Sequence, residues 1–224
     1  MDRGDRRGYR SRHHRRLTLA TAAIGCIGLT STTVTGCSDN QPTQHAAAPS
    51  VNLASAPTNV QWADFHGMRI PQAKEGPHDF TDAVAPDGFD RSPVGAALDA
   101  INATVRLSVA HDGEWPTVVR KLVAPGATRD AFITSRIQLS TTSDVPAAEA
   151  PTIQGWKVTS FDPSKATVDI YSQMPDGSHT LNHTTVLWTS AGDWQLLLPE
   201  STATTSPVVA VAATPADMVR VRTT

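Results

Sequence analysis

The spacing of the apolar residues changes near residue 142, and this change constrains the fold more than any other feature of the sequence. Before it, Ser92 and Pro93 supply a helix N-cap and a first-turn proline. Apolar side chains then recur three and four positions apart, which is typical of one buried helix face. Residues 92–110 are therefore predicted to form a helix. Its inward-facing side chains are Val94, Leu98, Ile101, Val105 and Val109.

Two shorter segments continue the helical block. Residues 114–126 are predicted to form a second helix, with Val119 and Leu122 facing inward. Residues 128–140 are predicted to form a third helix that Thr128 caps. The inward-facing side chains of this third helix are expected to be Phe132, Ile133 and Ile137.

After residue 142 the chain turns to short runs rich in β-branched and aromatic residues, separated by turn signals. These runs cover residues 152–161, 165–173, 179–190 and 193–199. Val168 and Ile170 alternate with polar Asp169, which predicts a strand with one face exposed to water. We therefore expect an α+β fold in which a three-helix block packs on an antiparallel sheet of three to five strands. Gly95, isolated in the first helix, is explained by close packing against that sheet.

The first 36 residues are predicted to be an export signal. Residues 1–16 hold seven arginines against two aspartates, and residues 17–36 carry no charge. A basic head followed by an apolar segment and small residues is typical of a secretory signal peptide. A transmembrane anchor is the alternative, but the apolar run loses hydrophobicity from Thr30 onward. The Arg15-Arg16 pair leaves both the general secretory and the twin-arginine export routes open.

Val34-Thr35-Gly36-Cys37 resembles the bacterial lipobox, in which small residues precede a cysteine that receives a lipid. The resemblance implies that Cys37 is acylated on its thiol and becomes the mature N-terminus. Cys26 is a rival position, but more apolar sequence follows it, whereas Cys37 is followed by polar residues. Residues 37–57 are then predicted to be a flexible tether, because they are small, polar and rich in proline. The cell membrane, at its extracytoplasmic face, is the expected location.

Composition excludes several classes of function. From Cys37 onward the chain has 12 Lys plus Arg against 19 Asp plus Glu, a net charge of −7, so a basic surface for nucleic acid is not expected. Once the signal peptide is removed with Cys26 and Cys37 is acylated, no free cysteine remains, which excludes disulfides and cysteine-bound zinc. The globular domain is predicted at residues 58–200. Residues 201–224 are expected to add an edge strand or to form a tail.

The order of helices followed by "VLWTSAGDWQLLLP" resembles that of NTF2-like domains. The segments "VQWADFHGMRIPQAKEGP" and "GFDRSPVGAALDAINATVRLSV", with "VAPGATRDAF", resemble uncharacterised actinobacterial envelope lipoproteins associated with mobile or conjugative elements. The resemblance implies a domain held at the membrane by its lipid, beside an envelope protein partner. It carries over no catalytic residue, and Cys37 is the single position that it transfers.

The sequence holds few candidates for catalysis, metal binding or cofactors. Gly-x-Ser-x-Gly, Ser-x-x-Lys and glycine-rich phosphate motifs do not occur in it. His179 and His183 fall on one predicted strand, about 13 Å apart at 3.3 Å per residue, while His66, His78 and His111 stand alone in predicted loops. No metal and no cofactor are therefore expected. The remaining acidic residues Asp87, Asp90 and Asp112 are interpreted as turn formers and caps.

Asp169 and His183 are the one pair worth testing for catalysis, because they lie on neighbouring predicted strands. Some NTF2-like enzymes place such a pair in the pocket between sheet and helices. Our first expectation is nevertheless a non-catalytic binding or accessory module of an envelope or conjugation complex. The alternatives are a binder of a small apolar ligand and an NTF2-like enzyme.

Overall fold

The computed structural model describes residues 51–200 and 206–222, which belong to one compact unit, Ala47–Thr224. Within these two ranges the chain forms three helices and eight strands, and the larger sheet is antiparallel, so the α+β class is confirmed. The predicted signal peptide, Cys37 and the first part of the predicted tether lie outside the described residues. No helix in the two described ranges combines the length and apolarity needed to cross a membrane.

A hairpin opens the described part of the chain. Strands β1 (Gln61–Phe65) and β2 (Met68–Gln72) are antiparallel and joined by a two-residue turn at His66-Gly67. Both turn residues have positive φ, +52° at His66 and +81° at Gly67, as a tight turn between right-twisted strands requires. A Cβ at Gly67 would also overlap the carbonyl oxygen of Val145. The turn therefore needs glycine at its second position and presents His66 at its tip.

Helix α1 (Pro93–Val109) begins where the sequence predicts. The Ser92 hydroxyl accepts a hydrogen bond from the backbone N–H of Gly95 at 3.1 Å. The helix is buried on nearly all sides, because alanines at positions such as 96, 97 and 100 let neighbouring elements approach closely. At Gly95 the close neighbour is the carbonyl oxygen of Asp90 in the preceding loop. The prediction that Gly95 packs on the sheet is therefore wrong.

Two shorter helices follow, α2 (Trp115–Leu122) and α3 (Ala127–Arg136). Val119 and Leu122 are buried in α2, as predicted. Helix α3 begins one residue before Thr128, at an N-cap of Gly126, so Thr128 does not cap it. Ile137 is 68% exposed rather than buried. The inward position is taken by Arg136, which lies over the Trp115 ring and donates to the Ala110 carbonyl at 3.0 Å.

The described residues form one six-stranded sheet, whose order is β6-β5-β4-β3-β8 with β7 also paired to β5. Its strands are β3 (Thr152–Asp162), β4 (Lys165–Gln173), β5 (His179–Trp188), β6 (Trp194–Leu197), β7 (Val208–Val211) and β8 (Val219–Arg220). Strands β6 and β7 pair with successive halves of β5, and β8 pairs with β3 at the opposite edge. The segment after residue 200 thus supplies one strand at each edge, which is why the sheet exceeds the predicted size.

The core lies between α1 and one face of this sheet. Helix α1 contacts β2 and all of β3 to β6. Trp156 of β3 and Trp194 of β6 are fully buried in the same apolar cluster. Leu53 also packs against that cluster, so the globular part begins before the predicted boundary at residue 58. The opposite face carries a small second cluster centred on Tyr171, Leu181 and Met218.

Candidate functional site

A cavity of about 370 Å³ lies between α1 and the sheet. The helix contributes Ile101 and Val105 on one side, and β3 and β4 contribute Ile153 and Ile170 on the other. Met68 of the hairpin completes an almost continuous apolar lining. The volume falls near the lower end of the range of about 300–1,000 Å³ that is usual for small-molecule sites.

Few polar groups interrupt this lining. Ser172, Thr180 and Asn182 face the cavity from β4 and β5. On the helix side, the hydroxyl oxygen of Thr104 is buried and has no hydrogen-bonding partner among the described residues. A buried hydroxyl without a partner costs about 1–3 kcal/mol.

Asp169 and His183 form a pair, but on the face of the sheet that points away from the cavity. The two residues are directly opposite each other in β4 and β5, and the distance from Asp169 Oδ1 to His183 Nδ1 is 2.7 Å. Because side chains alternate along a strand, Ile170 reaches the cavity whereas its neighbour Asp169 cannot. The side chain of His183 is 54% exposed. The pair therefore lies outside the pocket between sheet and helices.

The hairpin turn brings together histidines that the sequence leaves isolated. His66 Nε2 lies 2.6 Å from Glu114 Oε2, and His66 Nδ1 lies 2.7 Å from Asp144 Oδ1. The rings of His66 and His111 stack, with centroids 3.7 Å apart and planes 24° apart. Glu114 Oε2 also accepts from the backbone N–H of His111 at 3.1 Å. We call these residues, His66, His111, Glu114 and Asp144, the histidine cluster.

The charges of the histidine cluster shift the pKa values of its members. Burial opposes protonation of His66, but its hydrogen bonds to Glu114 and Asp144 outweigh burial and raise its pKa. Burial likewise acts to raise the pKa of Glu114, but hydrogen bonds from His66 and from the backbone of His111 outweigh it, so that pKa is lowered. The pair is thus stabilised as imidazolium and carboxylate.

The position of the histidine cluster follows from three local structures. His66 occupies the tip of the hairpin, and His111 with Glu114 lies in the turn between α1 and α2. Asp144 lies in the segment before β3, where the N–H of Val145 donates to the His66 carbonyl at 2.9 Å. The sequence contains a recognisable pattern for two of these three local structures: the X-Gly hairpin turn and the His–x–x–Glu spacing before a helix. Neither pattern indicates that these local structures meet.

Helix α1 carries a buried carboxyl group without a hydrogen-bonding partner among the described residues. Asp99 is fully buried, and neither of its carboxyl oxygens has a hydrogen-bonding partner in the described part of the chain. Burial raises its pKa well above the usual 3.8, and the charge of Asp193 raises it further. Asp193 differs in being bonded, since it accepts from the backbone N–H groups of Gly88 and Phe89 at 2.6 and 3.0 Å.

Comparison with known proteins assigns the chain to a family but not to an activity. No curated protein sequence and no solved structure is significantly similar to the chain. Residues 30–216 match the family described as a domain of unknown function, DUF8175. The match begins before Cys37 and includes every element from β1 to β7. The chain therefore belongs to the DUF8175 family.

Proposed function

We propose that this protein is a lipid-anchored extracytoplasmic lipoprotein whose domain binds a small, mainly apolar ligand in the cavity between α1 and the sheet. The observation that carries the binding proposal is the apolar lining of the cavity, which few polar side chains interrupt. The resemblance of residues 34–37 to the lipobox supports the anchor. Diacylation suits this role, because two chains hold a protein at a membrane more firmly than one.

The cavity indicates the chemistry of its ligand. Apolar walls favour an alkyl or aromatic body, and the polar side chains of Ser172, Thr180 and Asn182 favour one hydrogen-bonding group on that body. Among the described residues no charged side chain lines the cavity, so a strongly ionic ligand would lose its hydration without compensation. Asp169 and His183 lie on the opposite face of the sheet and give no support to catalysis inside the cavity.

A filled-cavity variant tests ligand binding. Thr180→Phe places a ring in the cavity, whereas Thr185→Phe places the same ring on the opposite face of the same strand. An uncharged apolar dye such as phenylnaphthylamine is expected to bind the native protein and the Thr185 variant, and to bind the Thr180 variant at least about tenfold more weakly. Equal dye binding by both variants would exclude the cavity as the site. Native mass spectrometry of the protein from its own host then identifies a copurifying ligand.

A pair of cysteine variants tests the anchor. Cys37→Ala is expected to release the protein from the membrane fraction or leave it unprocessed, whereas Cys26→Ala is expected to leave it acylated and membrane-bound. Mass spectrometry of the N-terminus provides the direct measurement. Membrane-bound, correctly processed Cys37→Ala protein would show that the lipid is attached elsewhere or not at all.

An envelope protein partner is a second proposal, favoured by the apolar side chains beyond α3. Ile137 and Leu139 are 68% and 64% exposed. Crosslinking in intact cells, with Ile137→Asp plus Leu139→Asp as the variant and Val51→Asp as the control, tests this surface. A crosslinked product that survives the double substitution shows that any partner binds elsewhere. The resemblance to envelope lipoproteins of conjugative elements supports a partner in such a complex.

A further inference from the structure

We infer that the histidine cluster is a binding site for a divalent transition-metal ion, of which Zn²⁺ is the representative, held by His66, His111 and Glu114. One ligand atom from each of these three residues lies within 4.8 Å of the other two. None of these three residues lines the cavity, and the inference does not depend on the ligand proposed for it. Two imidazoles with a carboxylate form a donor set that zinc accepts in proteins.

The distances suit replacement of a proton by a metal ion. On a tetrahedral ion with metal–ligand distances of about 2.0–2.1 Å, two ligand atoms lie about 3.3 Å apart. His66 Nε2 and Glu114 Oε2 are 2.6 Å apart, the separation of a charge-assisted hydrogen bond. An ion that enters between them displaces the proton of His66 Nε2 and requires the two atoms to separate by about 0.7 Å. Zinc binding therefore releases one proton from this pair.

Asp144 prepares His66 for this role. Asp144 Oδ1 lies 2.7 Å from His66 Nδ1, so Nδ1 keeps its proton when Nε2 binds the ion. Histidines that bind metals commonly donate their second ring nitrogen to a carboxylate, which sets the tautomer and the ring orientation. The hairpin turn holds the backbone of His66 in place, since the His66 carbonyl accepts from the Val145 N–H at 2.9 Å.

His111 must turn to complete the site. Its ring lies nearly parallel to that of His66, and parallel stacked rings cannot both direct nitrogen lone pairs at one ion. His111 Nε2 is buried and lies 3.2 Å from Asp144 Oδ1, yet no described residue completes a hydrogen bond to it. Because this ring nitrogen makes no hydrogen bond to a described residue, no such bond fixes the present orientation of the His111 ring. We therefore expect the ring to rotate out of the stack when an ion binds, from a position in which a ligand atom of His111 already lies within 4.8 Å of those of His66 and Glu114.

The two imidazole ligands of the site indicate which class of metal ion it binds. Calcium and magnesium prefer oxygen ligands, whereas zinc, cobalt, nickel and copper bind imidazole well. Three protein ligands leave one tetrahedral position for water or for a group from a partner. The absence of a cysteine ligand agrees with a site at the extracytoplasmic face, where a free thiol is readily oxidised.

The test is a zinc titration of the full-length chain. Cys26→Ser and Cys37→Ser are introduced into every sample, because thiolates bind zinc themselves. Calorimetry with zinc chloride is expected to show one ion per chain. His111→Ala and Glu114→Gln are expected to weaken binding by at least about 100-fold, since loss of an outer-shell partner alone costs about 10–100-fold. Asp144→Asn, which changes that outer shell, is expected to fall within the latter range.

Three controls separate this site from other histidines. His183→Ala and His78→Ala remove histidines that also lie beside aspartates, and His13→Ala with His14→Ala removes an adjacent pair near the N-terminus. All three are expected to bind zinc as the parent does. Cobalt provides a second readout, because a tetrahedral Co²⁺ site absorbs visible light and this absorption should vanish in His111→Ala. Circular dichroism melting of each variant confirms that it is folded.

The outcomes are distinct. Folded parent protein that binds no zinc would show that a shared proton alone joins these residues, and would overturn the inference. Zinc that binds His111→Ala as tightly as the parent, or that is lost in His183→Ala, would place the ion elsewhere and overturn it equally. If His111→Ala or Glu114→Gln fails to fold, zinc binding by Asp144→Asn and by the parent still decides between these results.

Discussion

Replacement of Asp99 is expected to stabilise the protein by an amount that grows with pH. The carboxyl group is fully buried and has no hydrogen-bonding partner in residues 51–200 or 206–222. Burial, with the nearby charge of Asp193, raises its pKa well above the usual 3.8. Burial therefore favours the neutral, protonated form of Asp99 in the folded protein. Two variants separate the costs of this arrangement: Asp99→Asn removes ionisation, and Asp99→Leu removes both ionisation and polarity.

The magnitude follows from two terms. A buried polar group without a partner costs about 1–3 kcal/mol, which Asp99→Leu recovers at any pH and Asp99→Asn does not. The second term depends on pH. Below the unfolded pKa both states hold the proton, and the term is absent. Above it the unfolded state releases the proton and the folded state retains it, so the wild-type free energy of unfolding falls by about 1.4 kcal/mol per pH unit until the folded pKa is reached.

Urea unfolding at a series of pH values measures both terms. The free energy of unfolding of each variant is compared with that of the wild type at the same pH, so that contributions from other titrating groups cancel. Asp99→Asn is expected to gain on the wild type as the pH rises above about 4, and Asp99→Leu is expected to exceed it by a roughly constant amount. A difference that does not change with pH, or that falls, would refute the assignment of Asp99 as a buried neutral acid.

Three further substitutions test the core and its boundaries by the same measurement. Ser92→Ala removes the N-cap of α1 and is expected to cost about 1 kcal/mol; no loss would mean that solvent satisfies the cap. Gly95→Ala forces a methyl group against the Asp90 carbonyl and is expected to cost about 1–3 kcal/mol or more, whereas Gly113→Ala meets no atom within 4 Å and serves as the neutral control. Trp156→Ala empties a fully buried position and is expected to cost about 3–5 kcal/mol; a smaller loss would indicate that neighbouring groups fill the space.

The sequence predicts α1 well because the signals for its beginning are local. Ser92 and Pro93 act on the first turn of the helix itself, and no distant residue is needed to read them. The third helix is less well predicted, since its burial depends on a partner. Trp115 stacks with Arg136, and this contact turns the arginine inward and leaves Ile137 in solvent.

The sheet shows the same dependence on distance. Runs such as residues 165–173 contain their own alternation and are predicted correctly. The edge strand β7 has only four residues. It is a strand because it pairs with β5, and that pairing cannot be read from its own sequence. The alternation of Val168, Asp169 and Ile170 by itself indicates that Asp169 faces water. Applied consistently along β4, the same alternation excludes Asp169 from a pocket under the helices.

The histidine cluster lies beyond prediction from sequence because its members come from separate segments of the chain. His66 and Asp144 are 78 residues apart, and His66 and Glu114 are 48 residues apart. Each histidine taken alone indicates only a polar loop position, because the sequence does not reveal its neighbours in space. Packing of the hairpin turn against the segment around Val145 creates the cluster, and that packing depends on the absence of a side chain at Gly67.

Zinc and the cavity ligand are expected to affect each other's binding, because two short segments belong to both sites. Val145 lines the cavity and donates to the His66 carbonyl, while its neighbour Asp144 bonds to the His66 ring. Val109 also lines the cavity, two residues before His111. An ion that turns the His111 ring and fixes Asp144 therefore affects the two nearby cavity residues, Val109 and Val145. Thermodynamic linkage then requires the two effects to be equal.

The measurement is the affinity of phenylnaphthylamine with and without saturating zinc, and the affinity of zinc with and without the dye. Zinc is expected to change the dye affinity by about 5–150-fold, the usual range for coupled sites, and the dye is expected to change the zinc affinity by the same factor. His111→Ala should abolish the effect of zinc and leave dye binding intact. Because unequal factors contradict linkage, they would reveal a second zinc site. A dye affinity that is the same with and without zinc would show that the shared segments keep one arrangement in both states.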